Sequence, residues 1–321
     1  MTGAATSWRV RVHSITRLAE GVHGLVLETP DGRALPPASA GAHVDLALRP
    51  GLSRSYSVVN QSGSRCEVAV ALDPRSRGGS RHVHETLRVG QLLDIGAPRN
   101  HFALVEHAPA SLLIAGGIGI TPLWAMVQRL EQLARPWHLL YAARSRAHAA
   151  YLAPIETLAA RSAQGRLDTH FDDEHGGQPP ALAPLLDAAP PGTHAYACGP
   201  SSMLAAFEQA TAAWPTERVH LERFATAATP APCGAFQITL VRSGRQFDVP
   251  PDRSILEVLL DQGIDAPYGC MQGACGMCET ALLDGRPDHR DTLLSDEAKA
   301  AGRSLLICCS RSHSPVLVLD L

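Results

Sequence analysis

The sequence predicts a multidomain protein: an antiparallel β-barrel, then an α/β doubly wound parallel sheet, then a smaller α+β unit. Three observations predict it. Short β-type runs separated by Gly, Pro, Asp and Ser turns occupy the first hundred residues, strand and helix signals alternate from Ser111, and a fresh hairpin and helix follow an aperiodic stretch. At 321 residues, 45% hydrophobic and 18% charged, the chain can bury more than one core. The boundaries read as residues 1–103, 104–225, a linker at 226–235, and 236–321.

The barrel rests on "WRVRV", "HVDLAL", "SYSVV" and "CEVAVAL" between Trp8 and Phe102, with one short helical candidate after Gly79. From Ser111 the chain reads as a buried strand "SLLIA", a glycine turn, an amphipathic helix from Thr121, a strand "WHLLYAA" and a helix starting near Ala149. Small residues, Thr and Pro make "ATAATPAPCGA", Ala225 to Ala235, a linker. "FQITLVRSGRQFDVP" then predicts a hairpin turning at Ser243–Gly244, followed by a helix with a Ser254/Glu257 capping box and Gly263 as its stop. There is no internal repeat and no low-complexity tract.

Net charge is −3 and no Lys/Arg block stands out, so neither nucleic acid nor an anionic membrane is an indicated partner. The N-terminal "MTGAATSWRVRVHS" lacks an apolar leader core, and "SLLIAGGIGI" is far shorter than the roughly 20 residues of a membrane span. A cytoplasmic location is expected. There the eight cysteines stay reduced, which favours a metal site over a disulfide framework.

In "YGCMQGACGMCET", Cys270, Cys275 and Cys278 stand at C-x4-C-x2-C, and Cys308 follows after 29 residues. This is the plant-type [2Fe–2S] spacing, four thiolates for two irons. Gly269, Gly273 and Gly276 suit a loop whose N–H groups approach sulfide. The alternative is zinc, which favours paired C-x2-C units, or unrelated thiols. Cys309 is expected to point away from Cys308 along an extended strand and to have no ligand role.

"RSYS", Arg54 to Ser57, begins a barrel strand, and "RGGSRHVHETL" opens a helix. Gly78–Gly79–Ser80 ahead of that helix makes an anion site to which Arg54 could add a charge-assisted bond; the plain alternative is a surface arginine and an ordinary turn. His82 and His84, two apart on a helix, do not share a face and read as solvated surface. "AGGIGITP", Ala115 to Pro122, and the later "YACGPSSML" are strand–turn–helix units whose turns should face one crevice, although a full G-x-G-x-x-G is missing. Cys198 reads as a buried structural thiol.

In this order, "RSYS", "RGGS", "AGGIGITP", "CGP", "ERF", the cysteine loop, "DHRD" (Asp288 to Asp291) and the ending "LICCSR…LVLDL" resemble the phthalate dioxygenase reductase type of ferredoxin–NADP reductase-like flavoproteins. The resemblance implies an FMN-binding barrel, an NAD-binding middle domain and a β-grasp plant-type ferredoxin domain. Carried over by position, Arg54, Gly79 and Ser80 would bind the FMN phosphate, Tyr56 would lie against the isoalloxazine and Ser57 would bond near N5. Ser55, Ala71, Leu72, Asp73, Gly78 and Arg81 would complete that site, with Phe224 over the other flavin face. Ala71 and Leu72 stand where relatives often carry basic residues. Thr121 would bridge both nucleotide sites, Cys198, Gly199 and Pro200 would border the nicotinamide, and Gly116, Gly117, Gly119, Pro122 and Arg144 would contact NAD. Cys270, Cys275, Cys278 and Cys308 would hold the cluster.

The implied activity is an NADH-dependent flavin/iron–sulfur oxidoreductase, the reductase component of a multicomponent oxygenase. A hydride carries two electrons, an iron–sulfur cluster accepts one, and a flavin converts between them. The cluster potential should fall near the plant-type value of about −400 mV. The expected acceptor is a Rieske-type oxygenase acting on a small aromatic substrate, bound transiently by a monomer through Met271, Gln272, Ala274 and Met277. A cytochrome P450 partner, a stand-alone ferric or flavin reductase and a redox sensor are the alternatives. NADH is expected over NADPH, although Arg144 and Arg146 follow the second strand of the middle domain, where arginine can accommodate a 2′-phosphate.

Overall fold

The computed structural model describes residues 7–321 except 51, 75, 77, 225–233, 252, 270, 272, 274 and 275. The chain divides into two compact units, Met1–Glu222 and Arg223–Leu321. Most of the expected linker, residues 225–233, lies outside the described residues.

The first unit begins with β1 (Ser7–Ala19), β2 (Val22–Glu28), β3 (His43–Arg49), β4 (Leu52–Ser62), β5 (Arg65–Ala71) and β6 (Leu92–Gly96), closed as an antiparallel barrel in the order β1-β2-β5-β4-β3-β6. Alternating apolar residues fill it: Val10 and Val12 of β1, Leu25 and Leu27 of β2, Leu46 of β3 and Val68 of β5. Helix α1 (Gly79–Glu85), between β5 and β6, adds Val83 to that core. It touches β3, β4 and β5. Its histidines are therefore not the solvated pair expected. His84 stacks on His23 of β2 with ring centroids 4.0 Å apart and its Nε2 lies 2.9 Å from the Val70 carbonyl oxygen, because a short helix lying on a barrel leaves little of its circumference to solvent.

The same unit continues with β7 (Ser111–Gly116), α2 (Ile120–Gln132), β8 (Trp137–Ala143), α3 (Leu152–Arg161), β9 (Gly165–Phe171), α4 (Ala183–Asp187), β10 (His194–Cys198), α5 (Ser201–Ala210) and β11 (Val219–Glu222). The five strands are parallel in the order β11-β10-β7-β8-β9. β7 is buried along its whole length, as its apolar run predicts. Helix α3 starts three residues after Ala149 because Tyr151 takes a left-handed conformation, φ 59°, ahead of it. The chain moves from β7 outward to β8 and β9, then returns to the other side of β7 as β10. The β7/β10 boundary is thus the topological switch point, where open parallel sheets bind ligands.

The second unit contains β12 (Phe236–Leu240), β13 (Gln246–Val249), α6 (Ile255–Asp261), β14 (Glu279–Asp284), β15 (Pro287–Asp288), α7 (Asp296–Ala301), β16 (Ser304–Leu306), β17 (Arg311–Ser312) and β18 (Val316–Leu319). One sheet runs β13-β12-β18-β14-β16, and β15 pairs with β17 separately. The β12–β13 hairpin turns at Gly244, φ 67°, as expected. Both halves of the Ser254/Glu257 capping box form at the start of α6, which buries Ile255, Leu256 and Leu259. No helix among the described residues is long and apolar enough to cross a membrane.

Candidate functional site

On β4, strand alternation sets Arg54 and Tyr56 on the face shared with Leu46 and Val44, and Ser55 and Ser57 on the face shared with Asp45 and His43. Arg54 reaches α1: a Cβ on Gly79 would lie 2.7 Å from Arg54 Cγ and 3.0 Å from its Nε. The helix end beneath has Gly78 at φ 93° as N-cap and no side-chain cap. Ser80 faces back across the loop, its Oγ accepting from the Asp73 N–H at 3.1 Å and donating to Ser76 Oγ at 2.9 Å. The structure thus brings Arg54, Gly79, Ser80 and Asp73 together. Arg81 turns down the helix, 3.9 Å from Glu85. Ser55 is committed to Asp45 at 2.5 Å, which also binds Arg99 at 2.6 Å. Leu72 is exposed at the end of β5.

Ser57 is different. Its Oγ is buried with no hydrogen-bond partner among the described residues, and so is Nε2 of His43, its cross-strand neighbour. Burial first, and then the Arg99 charge, hold the His43 pKa down at about 4. Orphaned polar atoms of this kind cost about 1–3 kcal/mol each, which a flavin ring edge could offset by hydrogen bonding. Burial likewise pushes the Tyr56 hydroxyl up to about 12, a neutral ring packed against the barrel core.

At the switch point the two turns pack backbone against backbone. A Cβ on Gly119 would lie 2.1 Å from the Cys198 carbonyl oxygen, and one on Gly116 would lie 2.5 Å from Pro200 Cδ. Gly199 fits against Gly116 Cα in the same way. Of the glycines expected to border or contact NAD, Gly116, Gly119 and Gly199 close one turn on the other. Only Gly117, φ 54°, has nothing within 4 Å of where its Cβ would be. Thr121 is buried and donates its hydroxyl to the Ile118 carbonyl at 3.0 Å, and Pro122 is buried beside it in α2. Cys198 is fully buried, and burial raises its thiol pKa.

Sequence reasoning quoted Glu222 within "ERF" but gave it no role; it lies in register with Cys198 where β11 ends. Burial pushes its carboxyl up to about 8, and Oε2 has no hydrogen-bond partner among the described residues. A glutamate at a strand end gives no sequence signal of its burial. Phe224 is half-buried and opens the second unit.

Past β8, Arg144 is exposed, whereas Arg146 is occupied: 3.1 Å from Glu174, 3.3 Å from Glu156 and 4.6 Å above the Phe171 ring.

In the second unit Cys270 and Cys275 lie outside the described residues, as do Gln272 and Ala274. Cys278 and Cys308 are both buried. The Gly273 N–H donates to Cys308 Sγ at 3.3 Å, tying the loop to the distant fourth cysteine. Gly273 sits at φ 71° with no room for a side chain: its Cβ would meet Cys309 Sγ at 2.5 Å and Asp291 Cα at 2.9 Å. Two expectations are corrected here. Cys309 is not on an extended strand, since β16 ends at Leu306 and Cys309 N–H and Ser310 N–H both turn back to the Leu306 carbonyl, so strand alternation does not apply and its thiol faces the loop. Met271 is no docking residue: at φ 54° it folds into the core of this unit and is 9% exposed. Met277 remains half-buried.

A family described as the 2Fe-2S iron-sulfur cluster binding domain matches residues 238–313, and one described as the oxidoreductase NAD-binding domain matches residues 113–209. Tetrachlorobenzoquinone reductase of Sphingobium chlorophenolicum is 48% identical over all of both chains. Phthalate dioxygenase reductase of Burkholderia cepacia is 35% identical over 98% of this chain and 97% of its own. A solved phthalate dioxygenase reductase structure superposes with a TM-score of 0.80 at 34% identity, covering 98% of each chain. The chain belongs to the phthalate dioxygenase reductase family. The solved structure of an intact type IV self-sufficient cytochrome P450 monooxygenase is also similar, TM-score 0.77 and 35% identity, over 98% of this chain and 41% of that one.

Membership of this reductase family brings FMN, NADH and a [2Fe–2S] cluster, and the residues present fit them. The orphaned Ser57 Oγ and Arg54 beside the α1 N-terminus suit FMN, the open Gly117 at the switch point suits the nucleotide, and Cys308 held by a backbone N–H suits a thiolate-bound cluster.

Glu222 yields a pH prediction. Its folded pKa is raised above the unfolded carboxylate value of about 4.3, so its stability contribution is fully present below that value and is lost as pH rises toward 8. Wild-type stability should fall through this window by up to about 1.4 kcal/mol per pH unit from this group. Glu222→Gln should flatten that slope in denaturation measured at pH 5, 6.5 and 8; parallel curves for the two proteins would mean that the carboxyl is solvated.

Proposed function

We propose that this chain passes electrons from NADH one at a time to a separate Rieske-type non-haem iron oxygenase that acts on a small aromatic substrate. The observation that carries this reading is full-length similarity, at 34–48% identity, to reductases that include a phthalate dioxygenase reductase. When bound, FMN accepts a hydride and releases single electrons. The chain's own residues have a narrower task. Arg54, Gly79 and Ser80 hold the flavin phosphate, and Ser57 meets the ring edge. Gly117 with Cys198, Gly199 and Pro200 borders the nicotinamide, where Glu222, protonated at neutral pH, leaves an uncharged carboxyl beside Cys198. Nothing in this chemistry requires an acid, a base or a nucleophile from the protein; orientation and exclusion of water suffice.

Preference for NADH over NADPH follows from charge. Arg146 is neutralised by Glu156 and Glu174, and Asp172, Asp173 and Glu174 directly after β9 would repel a 2′-phosphate near it. The double variant Glu156→Gln/Glu174→Gln should raise kcat/KM for NADPH by roughly tenfold, one charge-assisted hydrogen bond's worth, with little change for NADH. Unchanged NADPH use would mean that Arg146 lies out of reach of the ribose.

Cys270, Cys275, Cys278 and Cys308 hold the cluster in this reading. Cys308→Ser should lose iron and electron output while NADH still bleaches the flavin, and Cys309→Ser should keep two irons per chain. The opposite result would make Cys309 the fourth ligand, which its position against Gly273 allows.

The partner docks weakly and transiently near Met277, as small electron-transfer encounters do, with the reductase a cytoplasmic monomer. Reconstitution tests this: NADH, the reductase and candidate oxygenases are combined, and product is compared with NADH consumed. Tight coupling to a Rieske protein, weakened several-fold by Met277→Glu with the cluster intact, is the expected result. Faster electron delivery to a cytochrome P450, the alternative favoured by the similarity to a P450 monooxygenase structure, would displace the Rieske assignment.

A further inference from the structure

The Asp288–Asp291 run lies outside the cysteine pattern, yet it reaches the cluster loop. Asp291 has a fully buried side chain. Its Oδ1 accepts from the Leu293 N–H at 3.1 Å and the Leu294 N–H at 2.8 Å, which fixes a tight turn. The next residue, Thr292, donates its N–H to the Gly273 carbonyl at 3.0 Å. Gly273 in turn donates to Cys308 Sγ at 3.3 Å and lies so close to Asp291 that a Cβ would sit 2.9 Å from Asp291 Cα. One glycine of backbone therefore separates a buried carboxylate from the fourth cysteine's sulfur.

We infer that Asp291 is a positioning residue for the cysteine loop and that its charge lowers the potential at which the cluster accepts an electron. The inference rests on the [2Fe–2S] reading. A buried carboxylate is costly unless compensated, and the compensation here is partial. Lys299 Nζ donates to the Asp291 carbonyl at 2.9 Å and lies 3.9 Å from Oδ1, while His289 Nδ1 is 3.6 Å from Oδ2 and neither His289 ring nitrogen has a hydrogen-bond partner among the described residues. Arg290, the nearest arginine in sequence, is bound instead to Asp288 at 2.7 Å. Accepting one electron from the flavin makes the cluster one unit more negative. A fixed negative charge across one residue of low-dielectric backbone opposes that step, and net charge is among the terms that set iron–sulfur potentials.

Two substitutions with opposite signs test it. Asp291→Asn keeps an acceptor oxygen for the Leu293 and Leu294 N–H groups and removes the charge. It should retain two irons and two sulfides per chain and move the cluster midpoint, followed by EPR during a redox titration, to a more positive potential. Lys299→Met keeps most of the stem and removes the compensating cation, so it should move the midpoint the other way. Asp291→Ala removes the turn's acceptor and should lower the iron content. Equal midpoints for wild type, Asp291→Asn and Lys299→Met would overturn the electrostatic role, and a full cluster in Asp291→Ala would overturn the positioning role. If Asp291→Asn fails to fold, the half-exposed Lys299 site decides the sign alone. Wild-type protein reconstituted without iron and sulfide uptake would defeat the [2Fe–2S] reading itself, a result separable from any shift in potential.

Discussion

At each of the three candidate cofactor positions a glycine backbone in a turn approaches a neighbour more closely than a Cβ permits. Gly79 meets the Arg54 side chain, Gly119 meets the Cys198 carbonyl, and Gly273 meets Asp291 and Cys309. Each contact locks a turn against a second, sequence-distant segment: β4 on α1, β10 on the β7 turn, the Asp291 turn on the cysteine loop. The groups a turn presents, free N–H groups or sulfur, then stand in fixed positions before a ligand arrives. Adding a methyl at Gly119 would strike main chain rather than a flexible side-chain end, so relief would require parting the two turns. The close approach is therefore the constraint on which the geometry of each site depends.

This constraint also separates what the sequence could reveal from what it could not. Spacing and periodicity are local, so the barrel runs, the strand–turn–helix units, the hairpin at Gly244, the capping box at Ser254 and the pairing of the loop with Cys308 were all legible. The misreadings share one cause. Cys309 was assigned by strand alternation, but the strand stops at Leu306. Met271 was assigned to the surface as an apolar residue in a loop, but positive φ turns it into the core. His84 was assigned to solvent from helix geometry alone, without the barrel on which α1 lies. In each case a tertiary neighbour decided the direction of a side chain. Glu222 and Asp291 lie in the quoted "ERF" and "DHRD" stretches, but their roles were not legible for a related reason: acidic residues give no periodic signal, and what matters is their being buried beside something far away in sequence.

Several polar atoms lie buried and incompletely paired near the candidate site residues. Ser57 Oγ on β4 and His43 Nε2 opposite it on β3 mark the candidate flavin strand, Glu222 Oε2 lies level with Cys198 at the end of β10, and His289 and Asp291 stand behind Gly273 of the cysteine loop. Ser111 Oγ, at the opposite end of β7 from its turn, shows that such an atom can also be structural. His23 Nδ1 and Arg99 Nε are orphaned in the same way, whereas Ser57, Glu222, His289 and Asp291 lie at or beside the candidate site residues. An apolar substitution at any of them would relieve a cost of about 1–3 kcal/mol unless a bound group supplies the missing hydrogen bond. None forms a nucleophile–base pair: Cys198 and Glu222 are both driven toward their neutral forms, and His43 is held neutral by burial. Neutral, water-poor surroundings suit hydride transfer, in which charge moves between two bound rings, whereas a fixed negative charge one residue from the fourth cysteine would oppose reduction of a cluster there and make the reduced cluster a stronger donor.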